Sequence, residues 1–426
     1  MFKSLVRQQD ADARGEPRFG MLETIREFAL ERLEASGETP EARRRHAEHF
    51  VALAEEAAPW LTRTQGGIWL NRLEVEHDNL RAALVWADVA GDPNMLARLA
   101  ASLWWFWWMR GHFEARRWLG RALDRATAHD ARLALLDGAA NMALFQDEHA
   151  KSIELWSEMV AIGRTCGNQS AVAQSAVARA LARQAYVMRI MGEMEQAVAA
   201  SEEAIAIARQ RGDSRTTAYT LHGVAQVAMG WHDLDGAVTA WEEALVRFRE
   251  VDDAFMVPHT LCNLGVVAMM RGRLDKAMPL CSEALVLMRQ RDDRFALRFG
   301  LMYMLVIAQR LGDAEQVLAL AREVLTLSIE QDSPVTASNA LDGIAWAVGR
   351  NDDDAACAAR LLGAAQALRS AAGVDLNPLQ HPLHEDAVAA TRAALGEEAF
   401  AAAWAEGQAM TLEQAVAYAL EAEASM

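Results

Sequence analysis

The chain has 426 residues, 52% of them hydrophobic, and a formal net charge of −17. That is enough apolar material for a folded core, and too acidic a surface for direct attraction to nucleic acid or to an anionic membrane. The four cysteines, at positions 166, 262, 281 and 357, share no metal-type spacing, so neither a disulfide framework nor a cysteine metal site is implied and a reducing, cytoplasmic setting is expected.

The first ten residues lack the apolar core of a signal peptide, and the richest apolar run, Leu103 to Met109, is far too short to span a bilayer. Residues 3–9 and 18–22 read as two short strands joined by a loop rich in turn formers, a hairpin that is not stable alone. From there helix dominates, because prolines number only nine and Ala, Leu, Glu and Arg prevail. A helix over Met21 to Ala35 carries Leu22, Ile25, Phe28, Ala29 and Leu33 on one face and stops at Ser36-Gly37. Thr39 with Pro40 supplies a cap and a first-turn proline for a helix reaching Ala58.

Asp92-Pro93 opens a helix through Met109, Gly111 turns it, and a return helix runs from Phe113 to Ala126; another pair spans 129–145 and 147–165. Trp104, Trp105, Trp107 and Trp108 point in successive directions around their helix, so some pack between hairpins while one or two are candidates to line a groove. Arg110, Arg116, Arg117, Arg121 and Arg125 cluster nearby and read as a solvated face laced with Glu114 and Asp124.

Between Ala176 and Ala372 one pattern returns every 40 residues: Gly192 with Ala197 and Ala204, His232 with Ala237 and Ala244, Gly272 with Ala277 and Ala284, Gly312 with Val317 and Val324, and a worn copy at Asp352, Cys357 and Ala364. A period of this size marks stacked supersecondary units. Small residues seven apart share one helix face and admit a close neighbour, while glycine at a helix end accepts the positive φ that reverses the chain. Each unit is therefore a helical hairpin.

Leu264-Gly265, Gly272, Ala277 and Ala284 together resemble a tetratricopeptide repeat (TPR), here stretched to 40 residues. The resemblance implies an all-α fold, a right-handed superhelical solenoid whose first helices line a concave surface. A second resemblance rests on Leu22-Glu-Thr-Ile-Arg-Glu-Phe-Ala-Leu-Glu-Arg-Leu33 with Gly37, Arg43-Arg-Arg-His46, Glu76-His-Asp-Asn-Leu-Arg-Ala-Ala-Leu84, Arg360-Leu-Leu-Gly-Ala-Ala365, Leu395-Gly-Glu-Glu-Ala-Phe400 and Trp404-Ala-Glu-Gly407. These segments look like the MalT-like repeat region and linker of LuxR-type regulators among the signal-transduction ATPases with numerous domains (STAND), although Phe28 stands where Tyr is more usual. In such proteins a nucleotide-binding module and a winged helix precede the repeats, and a helix-turn-helix often follows. Ser4-Leu-Val6 and Arg18-Phe-Gly20 look like the last hairpin of that winged helix. The chain contains no Gly-x-x-x-x-Gly-Lys-Ser/Thr loop and no basic recognition helix after Gly407. The expected organisation is a winged-helix remnant over 1–22, linker helices over 23–90, irregular hairpins over 91–175, repeats over 176–372 and capping helices over 373–426.

Carried onto this chain residue by residue, the repeat resemblance places Arg179, Tyr186 and Arg189, then Tyr219, His222 and Gln226, then His259 and Cys262, then Phe299, Met302 and Gln309, then Asn339, Asp342 and Trp346 on the concave face. This mixture of aromatic, amide and basic groups suits a peptide, a protein segment or a small amphipathic effector. The pairs His46 and His49, and His381 and His384 beside Glu385, lack the third ligand of a helical zinc site, and no strained Gly-x-Ser-x-Gly turn follows a strand. The expectation is a non-catalytic scaffold without cofactor or metal. It would be the sensor arm of a transcriptional or signalling regulator, acting on an ATPase or DNA-binding module in cis or in trans; the alternative is a stand-alone adaptor that binds other proteins constitutively.

Overall fold

Four of the five copies of the 40-residue pattern turn at the same register through a residue with positive φ: Gly192 at 83°, His232 at 59°, Gly272 at 71° and Gly312 at 78°. The small residues that follow do what their spacing predicts. Ala197, Ala204, Ala237, Ala244, Ala277 and Ala284 are completely buried, so neighbouring helices meet there with little side chain between them.

The protein is described from a computed structural model, which covers residues 6–9, 18–112, 114–146, 148–167, 170–291, 294–330, 333–376 and 379–424. The described chain is helical apart from one antiparallel hairpin, β1 (Val6–Gln9) with β2 (Arg18–Met21), in which Val6 pairs Met21. Ser4, Leu5 and the loop over 10–17 lie outside the described residues. The chain divides into two compact units, residues 1–256 and 257–426.

The first unit holds α1 (Glu23–Ser36), α2 (Thr39–Ala57), α3 (Gly66–Val75), α4 (His77–Ala90), α5 (Pro93–Arg110), α6 (Ala115–Arg125), α7 (His129–Phe145), α8 (His149–Thr165), α9 (Ala171–Ile190), α10 (Met194–Arg211), α11 (Ser214–Gly230) and α12 (Leu234–Glu250). Helix α2 starts one residue earlier in cap register than expected. Glu38 is its N-cap, and Thr39 is its first helical residue, with a buried hydroxyl that meets no partner among the described residues. Trp107, Trp118, Phe106, Leu96 and Leu84 fill a core among α2 to α7, and Trp156 anchors the next one between α7, α8 and α9. Burying each large side chain contributes about 1.5–3 kcal/mol. The arginine cluster lies on a solvated face, with Arg116, Arg121 and Arg125 side chains 66%, 51% and 44% exposed, but it is tied down by acids: Arg121 and Arg125 both pair with the buried Asp88, and Arg116 reaches Glu148 at 2.6 Å.

The second unit begins inside α13 (Met256–Met270) and continues through α14 (Leu274–Gln290), α15 (Arg294–Leu311), α16 (Ala314–Glu330), α17 (Pro334–Val348), α18 (Ala355–Ala372), α19 (His381–Leu395), α20 (Glu397–Gln408) and α21 (Leu412–Ala424). Its end explains two of the sequence segments quoted above. Gly363 on α18 and Gly407 on α20 stand where the two backbones touch: a Cβ on Gly407 would lie 1.9 Å from the Arg360 carbonyl oxygen, and one on Gly363 would lie 2.3 Å from that of Trp404. No larger residue fits either position.

Candidate functional site

Helices α9 and α11 are the first helices of two successive repeats, and within the first unit their exposed faces form the floor of a pocket of about 280 Å³. Arg179, Arg183 and Tyr186 come from α9; Arg215, Thr216, Tyr219, His222 and Gln226 come from α11. The spacing is helical, three or four residues at each step, so these side chains share one face. Helix α5 supplies a wall with Trp104 and Trp105, and α7 adds Asp137 and Asn141. Trp104 packs onto α7 at Gly138, where a Cβ would come within 2.9 Å of the indole.

The four tryptophans of α5 thus divide between two jobs. Trp107 is buried in the core at 1% exposure, and Trp108 stacks on Phe145 at 4.4 Å and 13°. Trp104 and Trp105 face the pocket.

A loop that returns from far along the chain completes this site. After α12, Asp252 adopts a positive φ of 54°, and the chain folds back against the segment between α2 and α3. The Phe255 N–H donates to the Thr62 carbonyl at 3.0 Å, and the Thr64 hydroxyl donates to Asp252 Oδ1 at 2.6 Å. Phe255 packs edge-on against Trp105 with centroids 4.7 Å apart. Asp253 is wholly buried; it accepts from Arg215 at 3.2 Å, from the Tyr219 hydroxyl at 2.8 Å and from the Met256 N–H at 3.0 Å. Arg215 also donates to the Thr62 hydroxyl at 2.5 Å. Burial, and then the Asp253 carboxylate, push the Tyr219 phenol well above its ordinary value. The group is therefore a neutral donor at any physiological pH.

The pocket's charges are mostly engaged. Arg179 lies 3.6 Å from Asp137. Burial alone would raise Asp213, but the Thr216 hydroxyl and N–H, the Ser175 hydroxyl and the charge of Arg179 together hold it below its ordinary value. Arg183 stands apart. Its guanidinium lies 6.0 Å from the centre of the Tyr219 ring and makes no ion pair among the described residues. The Trp105 indole N–H is buried and likewise meets no acceptor among them.

Of the groove positions chosen from the repeat register, Arg179, Tyr186, Tyr219, His222 and Gln226 line this pocket. Arg189 belongs to the same helix, but its guanidinium lies over the Tyr186 ring at 5.2 Å. The remaining positions fall in the second unit. Asn339 donates to the Met302 sulfur at 3.6 Å; Asp342 is buried between Arg369 at 2.5 Å and His384 at 3.0 Å; Trp346 borders a separate cleft under Arg350. Cys262 is buried, with its thiol raised first by a hydrogen bond with Cys281 and then by burial; His259 is half-buried and Phe299 exposed. Gln309 is buried. The sequence reading left out Arg183, Arg215, Asp253 and Thr62, although Arg183 follows Arg179 by four residues and so shares its face.

The family model of anaphase-promoting complex subunit 5 matches residues 106–230 and 247–311. Curated proteins described as helix-turn-helix-type transcriptional regulators, from Mycobacterium bovis and Mycobacterium tuberculosis, are 35% identical over 143 residues; the match takes in 33% of this chain and 16% of theirs. The chain thus spans about a sixth of the length of these relatives. Among solved structures, a Rap protein complexed with competence and sporulation factor is similar over 91% of this chain and 99% of that one, at 12% identity and a TM-score of 0.53. A signal-transduction ATPase with numerous domains and a tetratricopeptide repeat sensor, from Pyrococcus horikoshii, is similar over 90% of this chain and 56% of that one, at 15% identity and a TM-score of 0.48. The fold is all-α, built of TPR-like helical hairpins.

Proposed function

We propose that the chain is the non-catalytic sensor and docking arm of a bacterial transcriptional or signal-transduction regulator, and that its effector binds in the pocket of the first unit. The observation that carries this reading is the company Arg183 keeps. Among the described residues, a guanidinium without an ion pair and an indole donor without an acceptor line the same cavity as three aromatic faces, Trp104, Trp105 and Tyr186. That combination suits an amphipathic ligand, a peptide or a small molecule, with an aromatic or apolar group against the tryptophans and an acidic group on Arg183. Ligand bound there touches α5, α9 and α11 at once, and would bias an ATPase or DNA-binding module, in cis or in trans, through the spacing of those helices. The similarity to helix-turn-helix regulators supports the regulatory setting.

The test is a fluorescence titration of short peptides carrying one aromatic residue and a free C-terminal carboxylate, set against the same peptides as C-terminal amides. Arg183→Ala should weaken binding of the acids by tenfold or more, the equivalent of about 1.5–3 kcal/mol for a charge-assisted bond, and leave the amides almost unchanged. Peptides that fail to bind, or that bind both proteins equally, would refute the reading. The similarity to a subunit of a large assembly favours a second one, constitutive docking of another protein. Under it, a partner co-purified with the chain would bind equally after Arg183→Ala and Trp105→Ala.

A further inference from the structure

Away from the pocket, at the end of α5, four side chains from three separate elements converge. Glu74 closes the last turn of α3, His77 opens α4, and His112 and Glu114 flank the turn between α5 and α6. The two imidazoles stack with centroids 4.0 Å apart and planes at 25°. His77 Nε2 lies 2.7 Å from Glu114 Oε1, and His112 Nε2 lies 3.2 Å from Glu74 Oε2. One donor atom from each of Glu74, His77 and His112 falls within 4.8 Å of the others. Neither histidine is exposed: their side chains are 17% and 20% accessible, and that of Glu114 is 9%.

We propose that this cluster is a divalent transition-metal site, best suited to zinc, with His77, His112 and the Glu74 carboxylate as ligands, Glu114 beside His77 orienting it, and a water completing the tetrahedron. Two imidazole nitrogens and one carboxylate oxygen, all within 4.8 Å of one another, match the ligand types and borderline softness that ion prefers. The hydrogen bonds between each Nε2 and a carboxylate hold the donor atoms close to where a metal needs them. The Arg81 guanidinium takes the other oxygen of Glu114 at 2.7 Å, Arg117 stands 4.0 Å from that same atom, and Arg110 lies 3.8 Å from Glu74. Arg81 thus fixes the Glu114 carboxylate that orients His77. A bound ion would fasten the junction of α3 and α4 to the end of the helix that presents Trp104 and Trp105.

The full chain, freed of metal with a chelator, would be titrated with zinc against a chromophoric competitor and with cobalt under visible spectroscopy. One equivalent should bind per chain, cobalt should give the intense absorption of a four-coordinate ion, and zinc should raise the melting temperature. Glu74→Gln preserves shape at a half-exposed position, so it tests the carboxylate without risking the fold, and His112→Ala tests the imidazole. Each should weaken zinc by at least about tenfold and abolish the thermal shift, while His49→Ala, at an exposed site, changes neither. Absence of stoichiometric uptake, or binding that either Glu74→Gln or His112→Ala leaves intact, overturns the proposal.

Discussion

Replacing Asp253 with alanine should loosen the first unit more than any other single change to the returning loop. The carboxylate is wholly buried and serves three donors: Arg215, the Tyr219 hydroxyl and the Met256 N–H. Removing one partner of a buried ion pair costs about 3–5 kcal/mol, since the other charge is left uncompensated. The Arg215 side chain, however, remains 36% exposed and still donates to Thr62, so water recovers part of its solvation and the loss falls to about 2–3 kcal/mol. Asp253→Asn keeps an acceptor for the Met256 N–H and gives up the charge, and should cost about 1 kcal/mol. Urea unfolding of the three proteins gives these differences directly. Hydrogen exchange locates them: amides of residues 252–256 and 62–64 should lose protection in the alanine variant first, with α5 to α8 unchanged. An Asp253→Ala protein within about 0.5 kcal/mol of the parent, with the loop amides still protected, would show that Asp253 does not hold the returning loop in place.

Two further outcomes are expected. Gly407→Ala would place a Cβ 1.9 Å from a carbonyl oxygen of α18, and backbone cannot swing aside as a side chain does; the second unit should lose about 1–3 kcal/mol or more in thermal or denaturant unfolding, and a loss below about 0.5 kcal/mol would contradict the contact. Asp213 caps α11 through the Thr216 N–H at 3.1 Å, and its folded pKa is depressed; its stabilisation is therefore complete above the unfolded value near 3.9 and vanishes as pH falls through the lower folded one. Asp213→Ala should cost about 1–2 kcal/mol at neutral pH, and the gap from the parent should close below about pH 4; a gap that persists in acid would mean that the charge contributes nothing.

The repeat architecture was legible because its determinants are local. A residue able to take positive φ, followed at five and twelve positions by small side chains, specifies a reversal and two close helix contacts within one 40-residue unit. His232 shows how far that register is enforced. It occupies the place glycine holds in the neighbouring copies and takes the same left-handed turn, at φ 59°, with the cost a Cβ brings there. The segment Arg360 to Ala365 at the far end of the repeats and the later Trp404 to Gly407 looked like separate features of one family, and the contact that joins them, backbone on backbone, could not be inferred from either alone. Register on α9 and α11 likewise gave five pocket residues, because a helical face needs only a period of 3.6.

The closure of that face is a different matter. It depends on Thr64 meeting Asp252 across 188 residues of sequence, and on Phe255 finding Trp105. No periodicity connects those positions, and an aspartate after a helix reads as solvent-exposed until three donors are seen to converge on it. The same contact decides the fate of the tryptophans. Successive residues of a helix point about 100° apart, so Trp104, Trp105, Trp107 and Trp108 had to face different surroundings, but which of them met the pocket depended on where α7 and the returning loop lay. Asp253 orients Arg215 and Tyr219 and leaves Arg183, one turn along α9 from Arg179, as a pocket guanidinium without a carboxylate among the described residues. The acidic ligand proposed for the pocket thus rests on the way the loop uses up its neighbours' charges, and Arg183 would be an ordinary groove arginine without it.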